Sequence, residues 1–246
     1  MIEEVLEGRE TLPVLYQDDW LVAVHKPSGL LVHRTDLDRH ETRFAVQILR
    51  DQIGRTVWPV HRLDKGTSGL LLFALDRDTA RALGGQFEAG TVTKRYLAVV
   101  RGHPAPGGEI DHPLAPLADE HGGKGPGRVP QPARTRYRTL ATTELPYQVD
   151  IYPTSRYALV ELDPLTGRQH QLRRHMKYIA HPIIGDATHG KGRHNRLFQQ
   201  LFGSQRLLLA AVDLAFRHPV SGEEIALTTP PAPDFQHVLQ GLGWSL

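Results

Sequence analysis

The length, composition and charge of the chain are typical of a soluble globular protein. It has 246 residues, of which 40% are hydrophobic and 23% are charged, and these values allow one large domain or two smaller ones. The absence of cysteine excludes a disulfide framework and thiolate metal sites, and a net charge of only +2 means that a polyanion must be bound by local patches.

In chain order, the pattern starts with an acidic segment, residues 1–10, that lacks the apolar core of a signal peptide or a membrane anchor. A cytoplasmic location is therefore expected. Apolar periodicity and turn residues then predict strands and helices that alternate irregularly. The predicted elements are strands at 12–16 and 20–25, a helix at 42–53, strands at 57–60 and 70–74, a helix that starts near Asp76 or Asp78, strands at 94–100, 133–140, 147–152 and 157–162, a helix at 167–179, a strand at 207–216 and a helix at 235–242.

This irregular alternation indicates an α+β fold, with a mixed, largely antiparallel central sheet and flanking helices and loops. Residues 103–132 are rich in glycine and proline and predict a long loop, whose second half, which contains the Gly-rich run at 122–127, is expected to be mobile. Because no independent core follows this loop, we expect a single domain over residues 1–246. Two subdomains are the alternative.

The stretch at residues 61–69 carries the strongest chemical signal in the chain. It places Asp64 between Arg62 and Lys65, continues as a turn, and enters an apolar run at 70–74 that we expect to be buried. A buried strand holds the preceding turn rigidly, as a catalytic carboxylate requires. The alternative is an ordinary turn in which the Asp64 side chain bonds its own backbone.

The predicted helix at 167–179 is the second candidate. Helical spacing divides its side chains between an apolar face and a basic face. The apolar face holds Arg168, Leu172, His175 and Ile179, and the basic face holds His170, Arg173, Arg174 and Lys177. A buried cation needs a carboxylate, and a pair between Arg168 and Asp64 would provide one. From this helix alone, the alternative in which Arg168 turns outward to solvent is favoured.

The predicted strand at 133–140 carries a row of cations. Strict alternation puts Arg134, Arg136 and Arg138 on one face of this strand. The row is either a solvated surface or a track for phosphates.

Three widely separated segments resemble the RluA-type pseudouridine synthases. They are residues 61–69, Lys94-Arg95-Tyr96, and Gly167-Arg168-Gln169-His170-Gln171-Leu172-Arg173. Lys26-Pro27-Ser28-Gly29, residues 181–186 and residues 206–210 extend the resemblance over nearly the whole chain. Finer features, among them Leu31-Val32-His33-Arg34 with Leu37-Asp38-Arg39, resemble a branch of the family that acts on tRNA.

Many members of the family begin with a small RNA-binding domain. The catalytic motifs of this chain start too early for such a domain, in agreement with the tRNA-modifying branch. The resemblance implies the catalytic fold of pseudouridine synthases. It also implies, as target, the uridine at standard tRNA position 65 in the T stem, with another tRNA or ribosomal uridine as the alternative.

The resemblance also implies roles for individual residues. Asp64 matches the catalytic aspartate, and whether it attacks the sugar or the base stays open. Tyr96 would stack on the flipped uracil and assist proton removal from C5, and Arg168 would pair with Asp64 and orient it. Arg62 would hold the gap that the flipped uridine leaves, and Leu172 would line the pocket. Phosphate contacts are expected from Arg134, Arg136, Arg138, Arg173, Arg174 and Lys177.

The implied isomerisation is redox-neutral and needs no activation by a nucleotide. No cofactor or metal is therefore expected, and the chain contains no Walker A, dinucleotide or His-Glu-x-x-His motif. The expected partner is tRNA, for a monomer that requires no protein partner and no membrane.

Two alternatives belong to other classes. A non-catalytic RNA-binding protein is disfavoured because Asp64, Tyr96 and Arg168 are all present. A hydrolase with an aspartate nucleophile is disfavoured because glycoside hydrolysis usually employs two carboxylates, and no second acid stands with Asp64 in its motif.

Overall fold

The fold is built on a ten-stranded sheet. The structure, a computed structural model, describes residues 10–34, 41–117 and 129–246. Three segments for which the sequence makes predictions lie outside the described residues. They are residues 1–9, Leu37-Asp38-Arg39 and the Gly-rich segment at 122–127.

The strands form one mixed sheet. They are β1 (Val14–Gln17), β2 (Leu21–Lys26), β3 (Trp58–Pro59), β4 (Ser68–Ala74), β5 (Thr93–Arg101), β6 (Gly107–Asp111), β7 (Arg134–Leu145), β8 (Ser155–Pro164), β9 (Leu209–Arg217) and β10 (Glu224–Thr228). Their order is β1-β2-β4-β9-β5-β8-β7-β6, with β3 paired to β4 and β10 paired to β9. All these pairs are antiparallel except β4 and β9. The predicted α+β class with a largely antiparallel sheet is confirmed.

The helices are α1 (Ala45–Ile53), α2 (Arg77–Ala89), α3 (Gln171–Tyr178), α4 (Gly192–Phe202) and α5 (Pro233–Gly241). As predicted, α1 ends at Gly54, which adopts a left-handed φ of 69°. Asp76 caps α2 by accepting hydrogen bonds from the backbone of Asp78 and Thr79. In the described part of the chain, the helices are all too short or too polar to cross a membrane.

Helices cover both faces of the sheet. Along β5, Leu97 and Val99 pack in one cluster with side chains of α4 and α5, whereas Ala98 and Val100 pack in another with α3. Successive residues of a strand point to opposite faces, so these two clusters lie on opposite sides of the sheet. A third cluster joins β2 and β4 to α1 and α2.

The start of β4 is held tightly against β9. All residues of β4 are buried, as the apolar run at 70–74 predicts. Gly69 has a φ of +106°, and a Cβ at this position would lie only 2.0 Å from the carbonyl oxygen of Ala211. Only glycine fits here, and the close contact fixes where the loop before β4 ends.

The structure corrects several local predictions. Residues 147–152, predicted as a strand, are an irregular connection between β7 and β8. Pro146 cannot donate to a strand ladder, and the Tyr147 N–H donates to Leu145 O in a tight turn. Strand β6 lies within the predicted loop at 103–132, and β10 and α4 have no predicted counterpart. The helix predicted from 167 begins only at Gln171, because His170 has a left-handed φ of 53°.

Candidate active site

The turn that follows β2 anchors the loop that carries Asp64. The Gly29 N–H donates to the carbonyl oxygen of Lys65 at 2.8 Å, and the ammonium of Lys26 donates to the same oxygen at 3.2 Å. Lys26 is fully buried and also donates to two nearer backbone carbonyls. The loop is therefore fixed at one end by β4 and in its middle by this turn, as a rigidly placed carboxylate requires.

Asp64 is bound by Arg173 rather than by its own backbone. The Arg173 Nη1 donates to Asp64 Oδ2 at 3.0 Å. The other side of the same guanidinium holds Asp186 through two hydrogen bonds, of 2.7 Å from Nε and 2.9 Å from Nη2. Asp186 is buried and also accepts hydrogen bonds from two backbone N–H groups. Arg173 thus bridges two carboxylates, and Asp186 fixes its orientation toward Asp64.

The contact between Arg173 and Asp186 stabilises the ionised forms of both side chains. Burial opposes the charge on Asp186, but the hydrogen bonds from Arg173 and from the backbone of His189 lower its pKa overall. Burial likewise opposes the charge on Arg173, yet Asp186 and Asp64 raise its pKa. The cation therefore stays charged, and it keeps one carboxylate buried and the other at the edge of an open cleft.

The pair between Arg168 and Asp64 that the resemblance implies is wrong in this structure, and the alternative of an outward-turned Arg168 is confirmed. Arg168 is exposed, and its Nε donates to the carbonyl oxygen of Pro132 at 3.1 Å. Because α3 starts at Gln171, Arg168 precedes the helix, and helical spacing does not determine the direction of its side chain. Arg173, assigned to the basic outer face, is buried and takes the place expected of Arg168.

The remaining surroundings of Asp64 leave one oxygen open. His170 approaches Oδ2, with its Nε2 at 3.9 Å, and its Nδ1 contacts His189 Nε2 at 3.1 Å. Among the described residues, Asp64 Oδ1 accepts no side-chain or backbone hydrogen bond that the structure records. A carboxylate oxygen in this state, beside one held by a guanidinium, is available to attack or to accept a proton.

Tyr96 lies on β5 and lines the same cleft as Asp64. Burial and the Asp64 charge raise the pKa of the Tyr96 phenol, which therefore stays protonated at neutral pH. A neutral phenol donates a hydrogen bond and offers a flat ring, but it does not accept a proton readily. The structure thus favours the stacking role implied for Tyr96 over a role as base.

His61 also lines the cleft. Its ring stacks on Phe87 at 4.6 Å between centroids, and its Nε2 accepts a hydrogen bond from the Leu72 N–H. Burial and the Lys94 charge lower the pKa of His61 to about 3, so the ring is neutral under ordinary conditions. His61 is a wall residue rather than a source of charge.

The cleft in front of Asp64 measures about 1000 Å³ and is open to solvent. It brings together five of the residues predicted for the site and one that was predicted only to bind phosphate. They are Arg62, Asp64, Tyr96, Arg168, Leu172 and Arg173. Lys94 and His170 also line it. This volume is large enough to admit an extruded nucleotide together with part of its backbone.

The predicted arginine row lies outside this cleft and is already paired. Arg134, Arg136 and Arg138 lie on one face of β7, as predicted, and all three are exposed. Glu109 of β6 binds both Arg134 and Arg136, and Glu161 of β8 binds Arg138. The row is therefore less electropositive than its sequence suggests.

The other predicted phosphate-binding residues occupy α3. Lys177 is exposed, while Arg174 is half-buried and donates to the carbonyl oxygen of Ala115 at 2.9 Å. Burial lowers the pKa of Arg174. Arg174 therefore joins α3 to the segment after β6, and Lys177 is the cation of this pair that faces solvent.

Two residues of the site were not predicted from the residues themselves. Asp186 orients Arg173, and its only signal in the sequence is the segment at 181–186 that resembles the family. Lys26 anchors the Asp64 loop, and its signal is the Pro-Gly turn that follows it. Both act through contacts between segments far apart in the chain, which a local pattern does not contain.

An open cleft lined by a guanidinium-held carboxylate and a half-buried tyrosine defines a site for nucleophilic or proton-transfer chemistry on a ligand that enters from solvent. Residues 20–178 match the family model of RNA pseudouridylate synthases. The chain therefore belongs to the RNA pseudouridylate synthase family, and it is an enzyme of the isomerase class, a pseudouridine synthase.

Similar proteins support this membership over most of the chain. The tRNA pseudouridine synthase C of Pectobacterium carotovorum subsp. carotovorum is 51% identical over 95% of this chain, which spans 62% of that protein. Proteins of the same name from Yersinia pestis and Pasteurella multocida are 50% and 49% identical. The matches cover 95% of this chain and 92% of the Yersinia protein, and 96% of this chain and 98% of the Pasteurella protein.

Two solved structures share the fold. Human RNA Pseudouridylate Synthase Domain Containing 4 superposes with a TM-score of 0.73 at 28% identity, covering 95% of this chain and 94% of that one. Human RNA Pseudouridylate Synthase Domain Containing 1 gives 0.71 at 29% identity, covering 93% and 88%. The catalytic fold implied by the resemblance is confirmed.

Proposed function

We propose that this protein converts one uridine of tRNA to pseudouridine, and that the target is uridine 65 in the T stem. The observation that carries the catalytic part is the Asp64 carboxylate, which lines the cleft and is bound by Arg173 at 3.0 Å. The substrate part is supported by the names of the relatives that are about half identical to this chain, which are tRNA pseudouridine synthases.

The reaction exchanges one bond for another within a single nucleotide. The bond from N1 of uracil to the sugar breaks, the base turns, and a new bond joins C5 to the same sugar carbon. The proton on C5 is lost and N1 gains a proton, so atoms and charge balance without an oxidant or a reductant. The expectation that no metal or cofactor takes part stays a prediction.

In this proposal Asp64 is the nucleophile that holds one fragment while the base turns. Its Oδ2 stays bonded to Arg173, which leaves Oδ1 for the covalent bond and limits rotation of the carboxylate. Tyr96 stacks on the flipped uracil, Leu172 packs against it, and Arg62 holds the gap in the RNA. Removing a paired uridine from its stack costs a few kcal/mol, which contacts with the phosphates must offset.

Binding of tRNA is expected to depend on the exposed cations near the cleft rather than on the net charge of +2. Arg168 and Lys177 are exposed and can contact phosphates directly. The arginine row of β7 can bind phosphates when its ion pairs with Glu109 and Glu161 break. We further propose that the protein acts as a single-domain monomer, without a protein partner, in the cytoplasm.

Pseudouridine mapping of total RNA from cells with and without this protein tests the proposal. Loss of the signal at tRNA position 65 is the expected result. Loss at another tRNA uridine or at a ribosomal uridine would keep the reaction and overturn the target. An unchanged map would overturn the proposed substrate class as a whole.

A further inference from the structure

Lys94 is a cation in the cleft that has no hydrogen-bond or ion-pair partner among the described residues. It lies on β5, two residues before Tyr96, and its side chain is half-buried and lines the cleft. The structure records no hydrogen bond or ion pair between Lys94 and any of the described residues. Burial alone lowers the pKa of Lys94, with no carboxylate to oppose this effect.

The other buried or half-buried cations of the described chain that bear on the site all have acceptors. Lys26 donates to three backbone carbonyls, and Arg173 bridges two carboxylates. Arg206 binds Asp234 and the hydroxyl of Ser68. A cation partly withdrawn from water without such a partner is unfavourable, and proteins retain one mainly where a ligand supplies the missing anion.

The adjacent residue provides a contrast on the same strand. Arg95 is turned away from the cleft and lies within 3.4 to 3.6 Å of the carboxylates of Glu161, Asp163 and Asp213. Its charge is thus compensated inside the protein, while that of Lys94 is directed into the cleft. Lys94 and Arg95 carry the same charge, but only Arg95 has carboxylates within 4 Å among the described residues.

The carboxylates of the active site do not serve as the missing partner. Asp64 is bound to Arg173, and Asp186 is bound to the same guanidinium and to two backbone N–H groups. His61 is neutral, because burial and the Lys94 charge lower its pKa, so it supplies no anion either. Glu88, an exposed carboxylate of the same cleft, forms no ion pair with Lys94. No acid in the described part of the chain neutralises Lys94, which leaves the ligand as the source of the anion.

We propose that Lys94 binds a phosphate of the RNA backbone directly next to the target nucleotide, once that nucleotide has turned into the cleft. A flipped nucleotide carries a phosphodiester on each side, and an ammonium within the cleft neutralises one of them at the moment when the base reaches Asp64. The site would thus favour the extruded state over the stacked state. This inference rests on the proposed function and names the anion that the same cleft recognises.

The first test compares Lys94→Gln with Arg95→Gln in the full-length protein. For Lys94→Gln we expect KM for the RNA to rise about tenfold with kcat little changed, as for the loss of one charge-assisted hydrogen bond. The melting temperature should stay the same or rise by about 2 °C, because an unpartnered cation has been removed. A clear fall in the melting temperature would identify Lys94 as a structural residue and overturn the proposal. Arg95→Gln should lower stability and leave KM near the wild-type value.

The second test identifies the atom that Lys94 contacts. Three RNA substrates each carry one neutral methylphosphonate linkage, placed 5′ to the target uridine, 3′ to it, or several nucleotides away. With the wild-type enzyme, we expect one of the two neighbouring linkages to raise KM about tenfold and the remote linkage to have little effect. With Lys94→Gln, the same neighbouring linkage should cause no further rise.

The proposal is overturned if each neighbouring methylphosphonate raises KM by the same factor in Lys94→Gln as in the wild-type enzyme. In that case Lys94 and the phosphates act independently, and Lys94 contacts another group, such as a uracil carbonyl. The target uridine in these substrates is the one that cellular mapping finds for this protein. A wrong target in the proposed function therefore changes the RNA that is synthesised and leaves the Lys94 test intact.

Discussion

Arg173 is the residue that decides whether Asp64 is a catalytic carboxylate or an ordinary turn residue. From the sequence, Asp64 and its turn were predictable, because an acid between two bases leads into an obviously apolar strand. Its partner was not predictable, because α3 starts at Gln171, four residues later than the apolar pattern indicates. The left-handed backbone of His170 rotates the following residues, so that Arg173 rather than Arg168 points to Asp64.

Replacing Arg173 tests this assignment at the level of one residue. Arg173→Lys keeps one positive charge but cannot bridge Asp64 and Asp186 at once. We expect kcat to fall about 100-fold, because the nucleophile is no longer held in position. Stability should also fall by about 3 kcal/mol, as for the breaking of a buried ion pair. Single-turnover kinetics and chemical denaturation provide the measurements.

Arg168→Lys is the matched control. This residue is exposed and bonds only a backbone carbonyl in the structure, so its replacement should change stability little. If Arg168→Lys abolished catalysis and Arg173→Lys did not, the bridge between Asp64 and Asp186 would not be the device that orients the nucleophile.

Tyr96 provides a second test at this scale. The phenol is protonated at neutral pH, so Tyr96→Phe removes a hydrogen-bond donor and retains the aromatic ring. We expect turnover to slow about 100-fold, because the hydroxyl no longer donates a hydrogen bond to the reacting uracil. The affinity for tRNA should stay within about threefold of the wild type, because the ring still stacks. Fluorescence titration measures the affinity. A tenfold loss of affinity would mean that the hydroxyl acts mainly in binding.

Among the elements, those with a full local pattern were predictable and those fixed by distant partners were not. The buried strand β4 and the capped helix α2 follow directly from apolar periodicity and from Asp76. Strand β6 was missed because its residues, Gly107–Asp111, have almost no apolar pattern. It exists because it pairs with the arginine-rich start of β7, where Glu109 binds two arginines.

This pairing makes Glu109 a test of the arginine row. Glu109→Gln frees Arg134 and Arg136 for phosphate contacts. If the row tracks the RNA backbone, tRNA affinity should increase about threefold, and the slope of log affinity against log salt should steepen by about 1.

Glu144→Gln serves as the control, because Glu144 lies at the far end of β7, where it binds Arg156 of β8. The two variants remove the same charge from the protein. An equal change in both would reflect net charge alone, and no change in Glu109→Gln would remove the row from the RNA-binding surface.

Helix α4 depends on a buried histidine that makes the element sensitive to acid. His194 Nδ1 accepts a hydrogen bond from Tyr157 at 2.8 Å, and its Nε2 donates to Asp150 at 3.2 Å, which satisfies a neutral ring. Burial lowers the pKa of His194, with Asp150 opposing this effect. The unfolded chain therefore takes up a proton at about pH 6.5, before the folded chain does.

Because the unfolded chain is protonated at a higher pH than the folded chain, His194 makes the free energy of unfolding fall in acid. The contribution of His194 to stability is complete above about pH 6.5 and is lost as the pH falls below that value. His194→Gln should be less stable at pH 7.5 and should lose less stability between pH 7.5 and pH 5. Urea denaturation at several pH values measures both effects. An equally steep loss in the variant would place the acid sensitivity elsewhere, for example at His61 or His175.

At the scale of the whole molecule, the active site results from the strand order. Asp64 precedes β4, Tyr96 lies within β5, and Arg173 follows β8, and the order β4-β9-β5-β8 sets these positions side by side. That order requires one parallel pair, β4 with β9, between strands far apart in the chain. Local patterns fix the fold class but not such pairings, so the assembly of the site was accessible only through the resemblance to a family.

The central claim is that Asp64, held by Arg173, catalyses the formation of pseudouridine in tRNA. Release of tritium from tRNA labelled at C5 of uridine measures this directly, because the C5 hydrogen leaves only when the base has been rejoined through C5. The wild-type protein should release tritium, and Asp64→Asn, folded and bound to tRNA with similar affinity, should release none above background. Appreciable release by Asp64→Asn would contradict the account.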